Sequence, residues 1–121
     1  MNTILIVEDA LIDIEIISSC LQQAGFFVVC ARSSEEAQQK LKQQNPDLIV
    51  LDVILPGQSG YELCRNLKTD PSTSKIPVVM CSTKNTKVDK MWGGMLGADA
   101  YLSKPVNREE LLRTVHQFIK N

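Results

Sequence analysis

Residues 46–57 read PDLIVLDVILPG, and this stretch decides the fold. Its four consecutive apolar residues, 48–51, are followed by a carboxylate, Asp52. A short, unbroken apolar run of this kind is typical of a parallel strand that is buried on both faces of a sheet. The stretch therefore predicts a central strand that carries an acid at its carboxyl end.

Similar apolar runs occur on both sides of this stretch. They cover residues 4–7, 26–31 and 76–81, and a weaker run covers residues 98–103. Between the runs, apolar residues recur at three- and four-residue steps, which indicates amphipathic helices. Five strands that alternate with five helices predict an α/β fold, in which a parallel sheet is covered by helices on both faces.

Capping residues place several helix ends. Gly25 ends the first predicted helix, a capping box at residues 33–36 begins the second, and residues 45–46 (Asn-Pro) end it. The third helix is predicted over residues 60–68, and the last begins after the N-cap residue Asn107.

The helix predicted between residues 86 and 96 differs from the others. It contains two glycines, Gly93 and Gly94, each of which costs a helix about 1 kcal/mol relative to alanine. We therefore expect this helix to move most easily. Its larger apolar residues recur at helical spacing, and we expect them to pack against the sheet, with contact to a partner protein as the less favoured alternative. They are Val88, Met91, Trp92 and Met95.

Length and charge exclude several classes of protein. A chain of 121 residues fits one domain over residues 1–121, and a net charge of −1 gives no electrostatic basis for binding nucleic acid. No apolar run approaches the roughly 20 residues that a membrane-spanning helix needs. The run at residues 4–7 is too short for the apolar region of a signal sequence and has no basic residues before it, so we expect no signal sequence. We expect a cytoplasmic protein that is monomeric, with dimerisation on activation as a possibility.

The cysteines indicate a reducing environment. They form no Cys-x-x-Cys pair, and each lies in an otherwise apolar stretch. Reduced, buried thiols are favoured over two disulfides, because a chain of this size can build a core without them. The four residues are Cys20, Cys30, Cys64 and Cys81.

Charged and hydroxyl side chains follow the predicted strands. In an open parallel sheet, the carboxyl ends of the strands meet at one edge, and ligands bind there. The residues at this edge are Glu8, Asp9, Asp52, Ser82, Thr83, Lys104 and Pro105. Three clustered carboxylates repel each other unless a cation is present, and oxygen ligands favour Mg²⁺ over zinc.

The order of these residues makes the chain resemble the receiver domains of two-component response regulators, over essentially its whole length. The shared markers are Glu8-Asp9, Asp52 with Leu55-Pro56 and Gly60, Ser82-Thr83, Gly97-Ala98, Tyr101 and Lys104-Pro105. The resemblance implies a doubly wound, flavodoxin-like sheet with strand order 2-1-3-4-5. The turn at residues 83–84 and residues 89–98 also resemble the small receivers of twitching-motility and phototaxis systems.

The resemblance implies a chemical role for each acid. Asp52 is the nucleophile that becomes an acyl phosphate. Mg²⁺, for which Mn²⁺ can substitute, is held by Asp9, by Asp52, by the backbone carbonyl of Ile54, and by Glu8 through water. Lys104 pairs with Asp52 at rest and with the phosphoryl group afterwards.

The resemblance also implies a switch. Ser82 is the hydroxyl that hydrogen-bonds the new phosphoryl oxygen, with Thr83 as an adjacent alternative, and Tyr101 is the aromatic residue that moves with it. Pro105 follows a cis peptide bond that aims Lys104 into the site.

The implied function is a phosphorylation switch that catalyses only its own phosphorylation and dephosphorylation. A histidine kinase donates the phosphoryl group, and a downstream target protein binds the face formed by residues 87–120. We expect no output domain, since the chain reaches residue 121 just after the fifth predicted helix. A phosphate sink and an unphosphorylated scaffold remain alternatives, as does a pathway other than motility.

Two rival readings of the same edge of the sheet are weaker. A phosphatase of the haloacid dehalogenase type carries an Asp-x-Asp motif at the end of a strand. Here the residue two positions after Asp52 is Ile54, so the second aspartate of that motif is missing. A flavin-binding protein of the flavodoxin type needs a phosphate loop after the first strand, and Glu8 and Asp9 would repel that phosphate.

Overall fold

Strands and helices alternate along the chain, as the sequence predicts. A computed structural model describes residues 2–119. It contains β1 (Thr3–Val7), α1 (Leu11–Gln23), β2 (Phe27–Ala31), α2 (Ser34–Leu41), β3 (Leu48–Leu51), α3 (Gly60–Thr69), β4 (Val78–Ser82), α4 (Lys87–Met95), β5 (Ala100–Ser103) and α5 (Arg108–Phe118). The described residues exclude Met1, Lys120 and Asn121. Both ends of the predicted domain and the last residue of the predicted 87–120 face therefore lie outside them.

The five strands form one parallel sheet in the order β2-β1-β3-β4-β5. In the register of this sheet, Ile6 lies opposite Cys30 on one side and Val50 on the other. The expected doubly wound order, 2-1-3-4-5, is confirmed.

Alternate strand residues build two cores, one on each face of the sheet. On one face, Ile6 and Val50 pack in a cluster with Leu21 of α1 and Leu111 of α5. The other cluster contains Leu51 with residues of α2 and α3, among them Leu63. The three central strands are buried on both faces, and the edge strands β2 and β5 are partly exposed. This burial explains why the central runs are continuously apolar.

Several strand and helix boundaries differ from the sequence prediction. Strand β4 begins at Val78 rather than at residue 76, because Pro77 has no N–H to donate to the sheet. It also extends through Ser82, so this residue ends the strand rather than following it. Helix α2 ends at Leu41 instead of continuing to residue 45. Lys42 N–H donates to the carbonyl of Gln39, three residues back, so the chain forms a tight turn there.

The predicted N-cap residues of α2 and α5 are present. Ser33 accepts a hydrogen bond from Glu36 N–H (3.0 Å), and Asn107 accepts one from Glu110 N–H (2.9 Å). The capping box expected at residues 33–36 is incomplete, because the Glu36 side chain accepts from Arg32 N–H (2.8 Å) and not from Ser33 N–H. Helix α4 has a complete capping box formed by Thr86 and Asp89. The start of α4 is therefore fixed by side chains, although its glycines lower its intrinsic helix propensity.

The prediction that the apolar residues of α4 pack against the sheet is wrong. Val88, Met91, Trp92 and Met95 are 73%, 62%, 47% and 73% exposed. The buried residues of this helix are Asp89 and Gly93. A Cβ atom on Gly93 would lie 2.9 Å from both the sulfur of Met80 and the ring of Tyr101. Only a glycine allows this close approach, so the helix packs on its glycine side and its large apolar residues face solvent.

The four cysteines are free thiols. Cys20, Cys64 and Cys81 are buried and Cys30 is half-buried. Burial raises the pKa of the Cys64 thiol to about 11 and that of Cys81 to about 12, so these thiols are poor nucleophiles.

No helix within residues 2–119 is both long enough and apolar enough to cross a membrane.

The two glycines of α4 provide a matched pair of substitutions. Gly93→Ala should lower the free energy of unfolding by about 1–3 kcal/mol, because the added methyl group collides with Met80 and Tyr101. Gly94→Ala should instead raise it by about 0.5–1 kcal/mol, because no atom lies within 4 Å of the added Cβ and alanine favours the helix. Urea denaturation of both variants measures the difference. Equal effects of the two substitutions would contradict this packing of α4.

Candidate functional site

The backbone ladder of the sheet continues one residue beyond its strands and fixes the polar edge. Glu8 N–H donates to the Ala31 carbonyl and Asp52 N–H donates to the Val7 carbonyl, both at 3.0 Å. At the other side of the site, Lys104 N–H donates to the Ser82 carbonyl, also at 3.0 Å. Hydrogen bonds to neighbouring strands therefore position all three side chains.

The ammonium group of Lys104 lies at the centre of the site. Its Nζ donates to Asp52 Oδ2 at 3.0 Å, to Asp13 Oδ2 at 2.9 Å, and to Glu8 Oε1. The Lys104 side chain is only 6% exposed, and the Lys104–Pro105 peptide bond is cis, as expected. One buried cation therefore holds acids from β1, α1 and β3 together.

The two buried acids have further partners. Glu8 Oε2 accepts hydrogen bonds from the backbone N–H groups of Asp9 (3.1 Å) and Ala10 (3.2 Å). Asp52 Oδ1 accepts one from Ile54 N–H at 3.2 Å. Each carboxylate is thus hydrogen-bonded through both of its oxygens.

Gly60, at the start of α3, allows that helix to pack directly on the chain at Asp52. A Cβ atom at this position would lie 2.0 Å from the Asp52 carbonyl oxygen, and Gly60 N–H donates to the Val53 carbonyl at 2.9 Å. The glycine is therefore required for the backbone position of Asp52.

The charges of the site shift the pKa values of Glu8 and Lys104. Burial raises the pKa of Glu8, and the nearby Asp52 charge adds to this effect, although hydrogen bonds from Lys104 and Ala10 oppose it. Burial works to lower the pKa of Lys104, but its hydrogen bonds to Glu8, Asp13 and Asp52 outweigh burial and raise it. Lys104 is therefore a permanent cation at neutral pH.

Asp13 is a member of the site that the sequence analysis missed. It lies in the first turn of α1, where an acid is ordinarily explained by the helix dipole, so its sequence position gave no reason to single it out. A signal was present, since Asp13 is one helical turn after Asp9 and so lies beside the end of β1.

The predicted metal ligands meet the requirements of a hard cation in charge and in atom type. Glu8, Asp9 and Asp52 offer oxygen atoms alone, and the four acids of this edge, Asp13 included, exceed the charge of Lys104. Glu8, Asp13 and Asp52 converge on Lys104 Nζ. Within residues 2–119, no three acidic, histidine or cysteine side chains are arranged so that they could hold a metal ion. Asp9 is partly exposed at the rim.

The two candidate switch hydroxyls, those of Ser82 and Thr83, differ in their exposure to solvent. Ser82 is fully buried and its Oγ accepts a hydrogen bond from Lys84 N–H at 3.1 Å, whereas Thr83 is exposed. Only Ser82 is therefore enclosed, and its carbonyl accepts the hydrogen bond from Lys104 N–H.

Tyr101 is linked to the same loop and to a second tyrosine that the sequence analysis missed. The Tyr101 hydroxyl donates to the Lys84 carbonyl, and the Tyr61 hydroxyl donates to the Asp89 carbonyl at 3.1 Å. The two hydroxyl oxygens lie 3.5 Å apart. Burial and the hydrogen bond with Tyr61 raise the pKa of Tyr101 above its usual range. A polar network thus joins α3, β5 and the start of α4.

The model of the response regulator receiver domain matches residues 4–116 of the chain. The chain is a response regulator receiver domain.

Two of the similar proteins are about as long as this chain. The chain is 36% identical over 116 residues to the protein PilH of Pseudomonas aeruginosa, and the match covers 96% of each chain. The receiver fold of the chemotaxis protein CheY4 of Vibrio cholerae superposes with a TM-score of 0.91 at 30% identity, over 98% of this chain and 99% of that one. Small single receivers are thus its relatives in sequence and in structure.

One similar receiver has been crystallised with a metal. It belongs to the sensor histidine kinase PA1611 of Pseudomonas aeruginosa, and it carries a magnesium ion coordinated in its active-site cleft. This structure superposes with a TM-score of 0.88 at 26% identity, over 97% of this receiver and 96% of that chain.

Removing the central cation of the receiver should destabilise it strongly. We expect Lys104→Met to lower the free energy of unfolding by about 3 kcal/mol at neutral pH without divalent metal, because two buried carboxylates lose their counterion. Acidification should restore part of this loss. The pKa of Glu8 in the folded state lies above its ordinary value. The stability that protonated Glu8 contributes is therefore fully present below the ordinary pKa, and it is lost as the pH rises through the folded-state pKa.

Urea denaturation in the presence of EDTA, repeated at several pH values, measures both effects. Lys84→Met is the control, because the Lys84–Asp89 ion pair has a lysine side chain that is 49% exposed and its removal should leave stability nearly unchanged. A Lys104→Met variant as stable as the unmodified protein would show that the buried cation is not required.

Proposed function

We propose that this receiver is a phosphorylation switch in which Asp52 accepts a phosphoryl group from a histidine kinase. The observation that carries the proposal is the environment of Asp52, which is 6% exposed and lies between Ile54 N–H and Lys104 Nζ. A carboxylate in this position is fixed for attack, and a cation is already beside the place where negative charge arrives.

The proposed transfer forms one bond and breaks another. An oxygen of Asp52 attacks phosphorus, the bond between phosphorus and the donor's histidine nitrogen breaks, and the nitrogen keeps the electron pair. Lys104 then pairs with the phosphoryl oxygens. Mg²⁺, or Mn²⁺ in its place, would be held by Asp9, Asp52, the Ile54 carbonyl and, through water, Glu8, and it would supply charge neutralisation to the transferred group.

The switch begins at Ser82. Its Oγ accepts from Lys84 N–H, which leaves its own proton available for a phosphoryl oxygen on Asp52. A shift of Ser82 moves the loop at Lys84, whose carbonyl accepts from Tyr101. Phosphorylation therefore biases an equilibrium between two arrangements of this loop and of Tyr101.

The signal leaves the receiver through the 87–120 face. The ring of Tyr101 packs against Gly93, so its movement acts directly on α4. Exposed apolar side chains of α4, among them Val88, Met91 and Trp92, supply the surface that a downstream target protein binds. The net charge of −1 gives no electrostatic support for a role in binding nucleic acid.

We infer a role in motility or taxis from the similarity to PilH and CheY4. In this role the receiver is a cytoplasmic monomer, dimerises at most when phosphorylated, and catalyses only its own phosphorylation and dephosphorylation. A phosphate sink uses the same chemistry without a target of its own. An unphosphorylated scaffold uses none of it.

Incubation with acetyl phosphate and Mg²⁺ tests the proposed chemistry. We expect the intact mass to rise by one phosphoryl group, only when the metal is present, and we expect no increase for Asp52→Asn. The control keeps the shape of the side chain and removes its nucleophilic charge. Absence of the adduct with every divalent metal would favour the scaffold.

Ile54 should make the acyl phosphate long-lived. Its side chain is 54% exposed beside Asp52 and is unable to hydrogen-bond an attacking water. We expect a phosphoryl half-life longer than in fast chemotaxis receivers, and we expect Ile54→Asn to shorten it, because an amide can orient that water. Loss of the phosphoryl mass with time measures both half-lives. A half-life of seconds that Ile54→Asn fails to shorten would contradict the hypothesis.

A further inference from the structure

The three N–H donors of Lys104 are all used in the resting site. An ammonium group has three donors, and those of Lys104 bind Glu8, Asp13 and Asp52. A phosphoryl group on Asp52 brings additional charged oxygens that require the same donors. The donor that binds Asp52 can pass to one phosphoryl oxygen, so a second contact between Lys104 and the phosphoryl group requires that Lys104 release Glu8 or Asp13.

Exposure determines which partner Lys104 releases. The Glu8 side chain is 2% exposed, so release would leave a buried charge without its counterion, which is costly. The Asp13 side chain is 32% exposed, and water can replace the ammonium group there. Asp13 is thus the partner that Lys104 can release at the lowest cost in free energy.

The structure of α1 holds Asp13 in this position. Ile17 and Leu21, on the same helix, are buried in the core, so α1 is fixed relative to the sheet. The N-cap residue, Ala10, makes no side-chain hydrogen bond, and the Asp13 carboxylate binds Lys104, 91 residues away along the chain. The ion pair therefore joins α1 directly to the phosphorylation site.

We propose that Asp13 is a positioning residue that holds Lys104 in the resting site and competes with the phosphoryl group for it. This inference rests on the proposed phosphorylation of Asp52. Through this competition Asp13 lowers the affinity of the site for a phosphoryl group and limits how much of the receiver is active at a given rate of phosphorylation. It acts through Lys104 and takes no part in the bond changes.

Binding of beryllium fluoride, a mimic of the phosphoryl group, tests the proposal. NMR titration in the presence of Mg²⁺ gives the dissociation constant. For Asp13→Asn we expect it to fall by about two- to fivefold, which is the range that a partly exposed ion pair accounts for. Asp13→Glu keeps the charge and should stay close to the unmodified protein.

Two controls separate competition for Lys104 from a general loss of negative charge. Glu15→Gln removes the same charge from an exposed position on the same helix, and it should leave the dissociation constant unchanged. In a double-mutant cycle, Asp13→Asn should have no effect in a Lys104→Met background, because the group for which Asp13 competes is gone.

The outcomes are distinct. A receiver that binds no beryllium fluoride and forms no phosphoryl adduct contradicts the proposed function itself. If the receiver binds, but Asp13→Asn matches Glu15→Gln or keeps its effect without Lys104, Asp13 is not a competitor and only this inference fails. Weaker binding by Asp13→Asn also overturns it, since Asp13 would then assist the phosphorylated site. The free energy of unfolding of each variant identifies any purely structural effect.

Discussion

The buried ammonium group of Lys104 is the interaction on which the rest of this receiver depends. Carboxylates from β1, α1 and β3 converge on it, and two of them are almost fully buried. Without a cation among them, these charges would repel each other and lose their hydration. The parallel sheet makes the arrangement possible, because residues that are distant in the chain follow neighbouring strands at one edge. The charge that stabilises this site is also the charge that the proposed phosphoryl group would require, so under the proposed function Lys104 serves both stability and signalling.

A continuous path of contacts leads from this cation to the surface of α4. Ser82 contacts the loop at Lys84 through a hydrogen bond, and the carbonyl of Lys84 holds the hydroxyl of Tyr101. The Tyr101 ring packs against Gly93, a buried residue in the second half of α4. Because Gly93 has no side chain, the ring lies directly on the helix backbone. A small rearrangement near Ser82 would therefore be transmitted through few contacts to an apolar surface that faces solvent.

Much of the fold and of the site could be predicted from local patterns. Continuous apolar runs identified the buried strands, and caps such as Asn107 placed helix ends to within a few residues. The acids at the strand ends were found because the rule for parallel sheets brings those ends together. The prediction for α4 was wrong, since helical spacing shows that apolar residues share a face and does not show which way that face points. Asp13 and Tyr61 were missed because their partners, Lys104 and Tyr101, are far away in sequence.

By itself the sequence determined the alternation of strands and helices, the family of the chain and the set of residues at the edge of the sheet. These features depend on local periodicity and on the order of motifs, which the chain carries without reference to its folded form. Only the tertiary structure decided that Lys104 has three acidic partners, that Ser82 rather than Thr83 is enclosed, and that α4 turns Trp92 outward. The physical reason is that burial and ion pairing depend on distances between elements. Those distances are set when both faces of the sheet are packed at once.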